Sequence, residues 1–398
     1  MKLRLLLLSL VVLATGCRAH KTFFRGVDRA IYEETELEEL EPASAAELAA
    51  EAARQAQQAA DAEAAQEAQR AADEAAATEE ATGPAEVTSA VPAAEHWLEG
   101  VRLTDDGLQG RAEWSRDGKR IVFQSVRAAD KGANPWEQVY LMNSAGEGQL
   151  RVTAGVGKTH GAVLVPNTSD LVIAYASTAH TGATPPRDSV AVGDSADHDM
   201  ELVLQNLTSG ATRMLAQGPG FDGEPHFCTP EDYVFASART GDLEIYRQTG
   251  SVRTRITERP GADESPRLSI DCRLLVWVRR TPEGSELVVR RDGTDTVALS
   301  VPAGIHTPAF SRLASHVVFS SDLAEPGGPL ELFSLELHSG TLRRLTASDA
   351  SERAPRVRPD GAALLYSSDA EGTPQLYVAP WAEDVGTVWS VGPSKGTP

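Results

Sequence analysis

The chain has 398 residues, with 37 Lys and Arg against 57 Asp and Glu, which gives a formal net charge of −20 at pH 7. A surface that binds nucleic acid needs a basic face, so this excess of acid argues against a nucleic-acid partner. Only three Cys are present, and none lies in a Cys-x-x-Cys or Cys/His spacing. We therefore expect no zinc site and no cofactor.

The first 16 residues have the pattern of a signal peptide. Lys2 and Arg4 form a basic segment, and residues 5–13 form an apolar stretch that is too short to span a bilayer. The letters ATGC at residues 14–17 follow and resemble the lipobox of bacterial lipoproteins.

The resemblance to a lipobox implies cleavage before Cys17, which would carry the lipid, palmitate included, that anchors the chain in a membrane. Residue 18, which follows the cysteine, is Arg rather than Asp. By the same resemblance, this implies sorting to the outer membrane, with the protein facing the periplasm. An ordinary secretory signal with an incidental cysteine is the alternative.

Residues 17–95 form an acidic segment rich in Ala and Glu. Between Arg18 and Glu95 the chain has 18 acidic and 6 basic residues, so most of the net charge lies here. The stretch 44–77 lacks Gly and Pro and begins with a capping box, Ser44 and Glu47, which predicts a helix. Because its apolar positions are almost all Ala, we expect a solvated helical or disordered tether. An alanine-based coiled coil is the alternative.

Residues 96–383 repeat one pattern of short strands six times. The first copy runs from Arg102 to Thr153. The turn after the first strand of each repeat recurs at 165–170, 228–232, 269–272, 311–314 and 358–361. A period of roughly 40–60 residues with strands only predicts an all-β fold, a six-bladed β-propeller of four-stranded antiparallel blades.

All six repeats resemble TolB-like, WD-repeat-like units, whose turns commonly read Ser-Pro-Asp-Gly, and three segments carry the resemblance. They are AEWSRDGKRIVFQS (112–125), GFDGEPHFCTPEDYVFASARTGDLEIYRQ (220–248) and RVRPDGAALLYSSDAEGTPQLYV (356–378). The resemblance implies a monomeric propeller of the cell envelope that binds protein or peptide partners. It does not extend to the N-terminal α/β domain of TolB. Residues 384–398 are expected to form a flexible tail.

The last repeat lacks a fourth strand after Trp381. The unassigned segment Leu98–Leu103 has the sequence pattern of that strand. We therefore predict that Leu98–Leu103 pairs as the outermost strand of the last blade and closes the ring.

The loop that enters each innermost strand should line one mouth of the central channel. These loops supply the candidate partner or ligand residues Arg111, Lys158, His160, Asp222, Glu224, Asp263, Glu264, His306, Glu352 and Arg353. Carboxylates from three blades favour a cation or a basic peptide at this mouth. Alternatively, the same side chains cap turns and form ion pairs with Arg111, Lys158 and Arg353.

Two function classes remain open at this stage. The first is a non-enzymatic binder of envelope proteins. The second is a hydrolase or lyase that acts on an envelope polymer, with Glu224 and Asp263 as acid and base at the channel mouth. No nucleophile motif and no metal-ligand spacing distinguishes them.

Cys228 and Cys272 occupy corresponding turns of adjacent repeats. Such turns lie side by side on one face of a propeller, so a disulfide is geometrically possible and an oxidising compartment permits it. Two independent thiols are the alternative.

Overall fold

A computed structural model describes residues 97–127, 136–181 and 199–389. The expected signal peptide, Cys17 and the expected tether lie outside the described residues, as does most of a long loop in the second repeat. Strands dominate the described part, where the one helix is a 3-10 turn, Ala179–Thr181. No helix in these ranges is long and apolar enough to span a membrane.

The strands form six antiparallel sheets, which are the blades. The first strand, β1 (Val101–Arg102), belongs to the last blade. Blade one contains β2 (Leu108–Trp114), β3 (Arg120–Val126), β4 (Gln138–Asn143) and β5 (Leu150–Arg151). Blade two contains β6 (Thr159–Leu164), β7 (Val172–Ser177), β8 (Glu201–Asn206) and β9 (Thr212–Ala216). Blade three contains β10 (Asp222–Thr229), β11 (Asp232–Ser237), β12 (Glu244–Thr249) and β13 (Val252–Arg255).

The remaining three blades follow the same order. Blade four contains β14 (Asp263–Leu268), β15 (Leu274–Thr281), β16 (Gly284–Arg291) and β17 (Thr294–Val301). Blade five contains β18 (Ile305–Phe310), β19 (His316–Ser321), β20 (Glu331–Glu336), β21 (Leu342–Arg344) and β25 (Thr387–Val388). Blade six contains β22 (Glu352–Val357), β23 (Ala363–Ser368) and β24 (Gln375–Pro380), with β1 outermost. The predicted all-β, six-bladed propeller is confirmed.

The hydrophobic core lies between neighbouring blades. The aromatic or leucine side chain near the end of the innermost strand is buried in blades one, three, four and five, at Trp114, Phe227, Leu268 and Phe310. Trp114 packs with Leu365 and Leu376 of blade six, so its cluster spans two blades. Successive side chains of a strand point to opposite faces of its sheet, so each blade can pack against both of its neighbours and bury both faces.

The ring is closed by pairing the two ends of the propeller. In β1, Val101 pairs with Val378 and Arg102 with Tyr377 of β24. The Leu103 amide also donates to the Leu376 carbonyl, at 2.7 Å. The predicted closure is therefore confirmed, but the strand is shorter than Leu98–Leu103. The Leu98 amide instead donates to the Leu345 carbonyl of blade five, at 3.0 Å, because the chain crosses to that blade before it enters β1.

The C-terminal segment differs from the expected tail. Thr387 and Val388 of β25 pair with Arg344 and Arg343 of β21, and the Trp389 amide donates to the Leu342 carbonyl. Trp389 also packs edge-on against Phe333. The segment after Trp381 thus covers the outer edge of blade five, an exposed edge that would otherwise be open to pairing with another chain.

Cys228 and Cys272 form a disulfide between blades three and four, with 5.7 Å between their Cα atoms. Of the two alternatives that the sequence left open, the structure has the bonded pair. The bond spans 44 residues of sequence and joins the end of β10 to the turn that follows β14.

Candidate functional site

Every innermost strand carries an irregularity of the same kind near its start. In each blade two consecutive residues are skipped in the pairing with the next strand, as between Gly223 and His226 in blade three. Proline occupies the second skipped position in four blades, at Pro225, Pro266, Pro308 and Pro355. Because proline has no amide hydrogen to donate, it fits a position that makes no ladder hydrogen bond.

The first skipped residue has a positive φ in five blades. The angle is 63° at Gly161, 54° at Glu224, 55° at Ser265, 49° at Thr307 and 52° at Ala354. A non-glycine residue in this region is strained and is common at binding sites. In blade two the glycine also allows a close approach, because a Cβ atom at Gly161 would lie 3.2 Å from the Glu224 Cα.

These irregular segments line a cavity of about 630 Å³ at one end of the channel, which we call the wide cavity. Side chains from all six blades contribute to it. Six of the ten predicted rim residues line it, namely Arg111, His160, Glu224, Glu264, His306 and Arg353. The volume lies within the range of pockets that bind small molecules or peptide side chains.

The other four predicted rim residues lie inside the blades and do not line the wide cavity. Asp222 pairs with Arg239 at 2.7 Å. Asp263 accepts hydrogen bonds from Trp277 Nε1 at 2.7 Å and Arg279 Nε at 3.1 Å. Glu352 accepts from Ser348 Oγ at 2.8 Å, and Lys158 is 3% exposed. Side chains alternate between the two faces of a strand, so adjacent residues such as Asp263 and Glu264 cannot both face the channel.

An ion pair crosses the channel at the floor of the wide cavity. Arg111 of blade one forms this pair with Glu224 of blade three. The second Glu224 oxygen accepts a hydrogen bond from the Ser265 amide of blade four at 2.7 Å. His160 Nε2 of blade two lies 3.7 Å from the first oxygen. One buried carboxylate therefore links four blades.

Burial opposes ionisation of Glu224, but the Arg111 guanidinium and His160 outweigh it and hold the pKa of Glu224 well below its usual range. Burial, with the Arg111 charge, lowers the pKa of His160 to about 4. At neutral pH the floor thus holds an ionised Glu224, a charged Arg111 and a neutral His160.

A second ion pair lies within blade four at the wall, and its arginine also reaches blade five. Arg280 pairs with Glu264, and its Nη2 donates to His306 Nδ1 at 3.2 Å. Because a guanidinium only donates, His306 Nδ1 must be unprotonated. Burial and the Arg280 charge lower the pKa of His306 to about 4. Burial, with the nearby Glu224 charge, raises the pKa of Glu264.

These pairs leave two of the predicted carboxylates less available to a cation, while Glu137 and Asp369 also line the wide cavity. Glu224 and Glu264 each have an arginine partner, and the carboxylate of Asp263 points into its blade. The same finding corrects the proposed acid/base pair, because Glu224 and Asp263 do not share a cavity. Arg280, Glu137 and Phe221 line the wide cavity and were missed. Phe221 lies just before β10, Arg280 lies in β15 and Glu137 lies just before β4, and the prediction considered only the loops that enter the innermost strands.

Lowering the pH should destabilise the propeller through buried histidines, among them the two of the wide cavity, His160 and His306. Their folded pKa values of about 4 lie below the unfolded value near 6.5. The unfolded state therefore binds more protons between these values. The stability that the two histidines contribute is fully present above pH 6.5 and is lost as the pH falls toward 4. We expect each histidine to contribute about 2 kcal/mol of loss between pH 7.5 and pH 5.

Urea unfolding of the wild type, His160→Gln and His306→Gln at the two pH values measures this loss. Each variant should lose about 2 kcal/mol less than the wild type. Glu264, whose pKa is raised, opposes the trend equally in all three proteins. His338→Gln, at an exposed hairpin, is the control and should keep the wild-type difference. Identical pH differences in all four proteins would refute the assignment.

No protein-family model matches the chain. Among solved structures, TolB from Acinetobacter baumannii is 16% identical with a TM-score of 0.50, over 69% of this chain and 66% of that protein. A putative TolB from Agrobacterium tumefaciens is 17% identical with a TM-score of 0.50, over 72% and 99%. The fold is that of a TolB-like propeller. An oligogalacturonate lyase in complex with manganese is 16% identical over 73% and 97%, with a TM-score of 0.47.

With sequence identities of 16% and 17%, the similarity to these solved structures shows the fold alone. The side chains of this TolB-like propeller must carry any statement about function. Within the described ranges, no group of three or more His, Cys, Asp or Glu is placed to hold a metal ion. His180 and Asp199 flank the long loop of blade two, and residues 182–198 of that loop lie outside the description.

Proposed function

We propose that this chain is a non-enzymatic envelope lipoprotein whose TolB-like propeller binds a protein or peptide partner through the wide cavity. All six blades contribute to that cavity, which is the larger of the two cavities described along the channel. Loops that a rigid scaffold holds at the mouth of a propeller are suited to recognition. The propeller would act as a monomer.

The main support for the proposal is the position of Arg353. It lines the wide cavity, is exposed, and forms no ion pair with any described residue. The other two arginines of the cavity, Arg111 and Arg280, are already paired with Glu224 and Glu264. Arg353 therefore presents free donors, and arginine is enriched at the centres of protein interfaces.

The remaining lining narrows the chemistry of the partner. Phe221, Leu243 and Leu330 line the cavity beside the paired ions, and Leu330 is the one of the three that is partly exposed. A partner segment that places one carboxylate against Arg353 and one apolar side chain into the cavity would satisfy both features. This replaces the basic peptide that an unpaired acidic rim would have favoured.

Capture of the partner from an envelope extract tests the proposal. Arg353→Glu should reduce recovery of the partner at least tenfold, because it replaces the free cation with a repelling charge. Arg213→Glu is the matched control, since Arg213 is exposed on the outer strand β9 of blade two. Equal recovery by the two variants, or no recovered protein with the wild type, would refute binding through the wide cavity.

The anchor is the second part of the proposal. The lipobox-like segment supports a lipidated Cys17 in the outer membrane, and the acidic residues 17–95 would act as a tether that holds the propeller in the periplasm. Cys17→Ser should move the protein from the membrane fraction to the soluble fraction. A variant that still sediments with membranes would show that another segment makes the attachment.

A hydrolase or lyase remains the second candidate, with a different acid from the one first expected. Glu264 lines the wide cavity with a raised pKa, while Glu224 has a lowered one. Carboxyl groups whose pKa values diverge are typical of acid and base pairs. Turnover of envelope glycan or peptide libraries that is abolished by Glu264→Gln, together with no partner captured by the wild type, would favour this candidate over the binder.

A further inference from the structure

The channel contains a second cavity at its other end, which we call the narrow cavity. Its volume is about 110 Å³, and it is lined by the ends of the six innermost strands and the turns that follow them. No described residue lines both cavities. The narrow cavity is therefore separate from the proposed partner site, and its lining chemistry is different.

Two buried arginines share one carboxylate at the base of the narrow cavity. Arg356 Nε of blade six donates to Glu113 Oε2 of blade one at 2.9 Å. Arg267 Nη2 of blade four lies 3.8 Å from the same oxygen. Arg356 is 2% exposed and Arg267 is 5% exposed. A single Glu113 charge thus faces two guanidinium charges.

The hydrogen bonds of the two arginines leave a vacant donor. Arg356 Nη1 donates to the carbonyl oxygens of Thr307 and Pro355, at 3.0 and 2.7 Å. Arg267 Nη1 donates to its neighbour Pro266 at 3.1 Å, but Arg267 Nε is buried without a hydrogen-bond partner among the described residues. Leaving a buried charged donor unpaired is costly, so this position favours an acceptor with negative charge.

The mouth of the narrow cavity adds further positive charge. Arg116, Arg312 and Arg358 line it, and no Asp or Glu other than Glu113 does. Arg358 pairs with Asp360 at 2.8 Å, and Arg116 donates to the Ile270 carbonyl. Arg312 is exposed and forms no ion pair in the described part. Five arginines and one glutamate therefore surround a space the size of a few heavy atoms.

The electrostatics of Arg267 agree with a missing counter-charge. Burial and the neighbouring Arg356 charge lower the pKa of Arg267 to about 9. The guanidinium is still charged at neutral pH. His226 adds no charge, because its Nδ1 accepts a hydrogen bond from the Leu268 amide at 3.1 Å and burial lowers its pKa well below the usual value.

We propose that the narrow cavity binds one small oxoanion, a carboxylate or a phosphate group, between Arg267 and the arginines of the mouth. Both groups offer several acceptor oxygens that match the guanidinium fork. The volume admits the anionic group itself and little more. The anion is either a free small molecule or the acidic group of a polypeptide that reaches the turns of this face.

Calorimetric titration of the detergent-solubilised full-length protein with inorganic phosphate and with acetate, at constant ionic strength in chloride, tests the proposal. We expect saturable binding at one site for at least one probe. Glu113→Gln should bind about tenfold more tightly, because it removes the competing internal carboxylate. Arg312→Gln should bind about tenfold more weakly, and this exposed residue can be changed without disturbing the core.

Arg213→Gln is the control and should bind like the wild type. Arg353→Glu should also bind the anion normally, so a failed partner proposal and a failed anion proposal can be distinguished. Competition of phosphate with the captured partner would identify a polypeptide source, and its absence would identify a free anion. No saturable binding of either probe, or affinities that Glu113→Gln and Arg312→Gln leave unchanged, would overturn the inference.

Discussion

Glu224→Gln should lower the free energy of unfolding by about 3 kcal/mol, because it leaves the Arg111 guanidinium without its counter-charge inside the channel. Glu224 is buried and Arg111 is 20% exposed in its side chain. The substitution keeps the shape of the side chain and a hydrogen-bond acceptor for the Ser265 amide. The loss therefore reports mainly the buried charge.

The double variant Arg111→Met with Glu224→Gln should recover part of this loss, because it removes the unpaired charge along with its partner. Glu371→Gln provides the matched control. Glu371 pairs with Arg102 at the surface, where the two side chains are 53% and 32% exposed, and its loss should cost at most about 1 kcal/mol. Urea unfolding at pH 7.5 measures all four proteins. A loss for Glu224→Gln no larger than that for Glu371→Gln would contradict the buried bridge.

Removing the first 102 residues should lower the melting temperature by roughly 10 °C, whereas removing the first 89 should leave it almost unchanged. The longer deletion eliminates β1 and its ladder with β24, together with the hydrogen bond from Leu98 to Leu345. It also removes Leu98, which packs against the cluster of blades five and six. At about 1 kcal/mol per hydrogen bond and per partly buried leucine, the loss is about 3–4 kcal/mol.

The two truncated chains, beginning at Leu103 and at Ala90, are compared by thermal unfolding. The Ala90 chain is the control, because it retains every residue from Trp97 onward that contacts the propeller. Equal melting temperatures would show that the ring is closed by other contacts. If the Leu103 chain does melt at a lower temperature, a shorter deletion through Leu98 separates the contribution of the Leu98–Leu345 hydrogen bond from that of the β1 ladder.

The repeat made the fold predictable. Six turns of one kind at regular spacing leave few arrangements other than a propeller, and the one unmatched strand pattern near Leu98 predicted how the ring closes. The position of β25 could not be predicted, since Thr387 and Val388 belong to no repeat. They pair with β21 because the edge of blade five is open there.

The candidate site was predictable only in part. Six of the ten predicted residues line one end of the channel, but Asp222, Glu224, Asp263 and Glu264 do not form the single acidic ring that the sequence indicated. The two skipped residues in each innermost strand shift which side chains face the channel, and that shift is not visible in a count of charges. The arginine partners of Glu224 and Glu264 come from blade one and from the second strand of blade four.

The positive charge of the narrow cavity could have been predicted from the sequence. Arg267 and Arg356 both follow a proline at the same position of their repeats, Pro266 and Pro355. Two arginines at one inward-facing position of a six-fold repeat must approach each other near the axis. That pattern alone would have placed positive charge at the centre of the channel.

Photo-crosslinking in the native envelope tests partner binding through the wide cavity most directly. A photoreactive phenylalanine analogue is placed at residue 353, on the rim, and in a separate protein at residue 213, on the outer strand of blade two. Residue 353 should yield one crosslinked product of defined mass, and residue 213 should yield none. Products of the same mass from both positions, or no product from residue 353, would contradict the account.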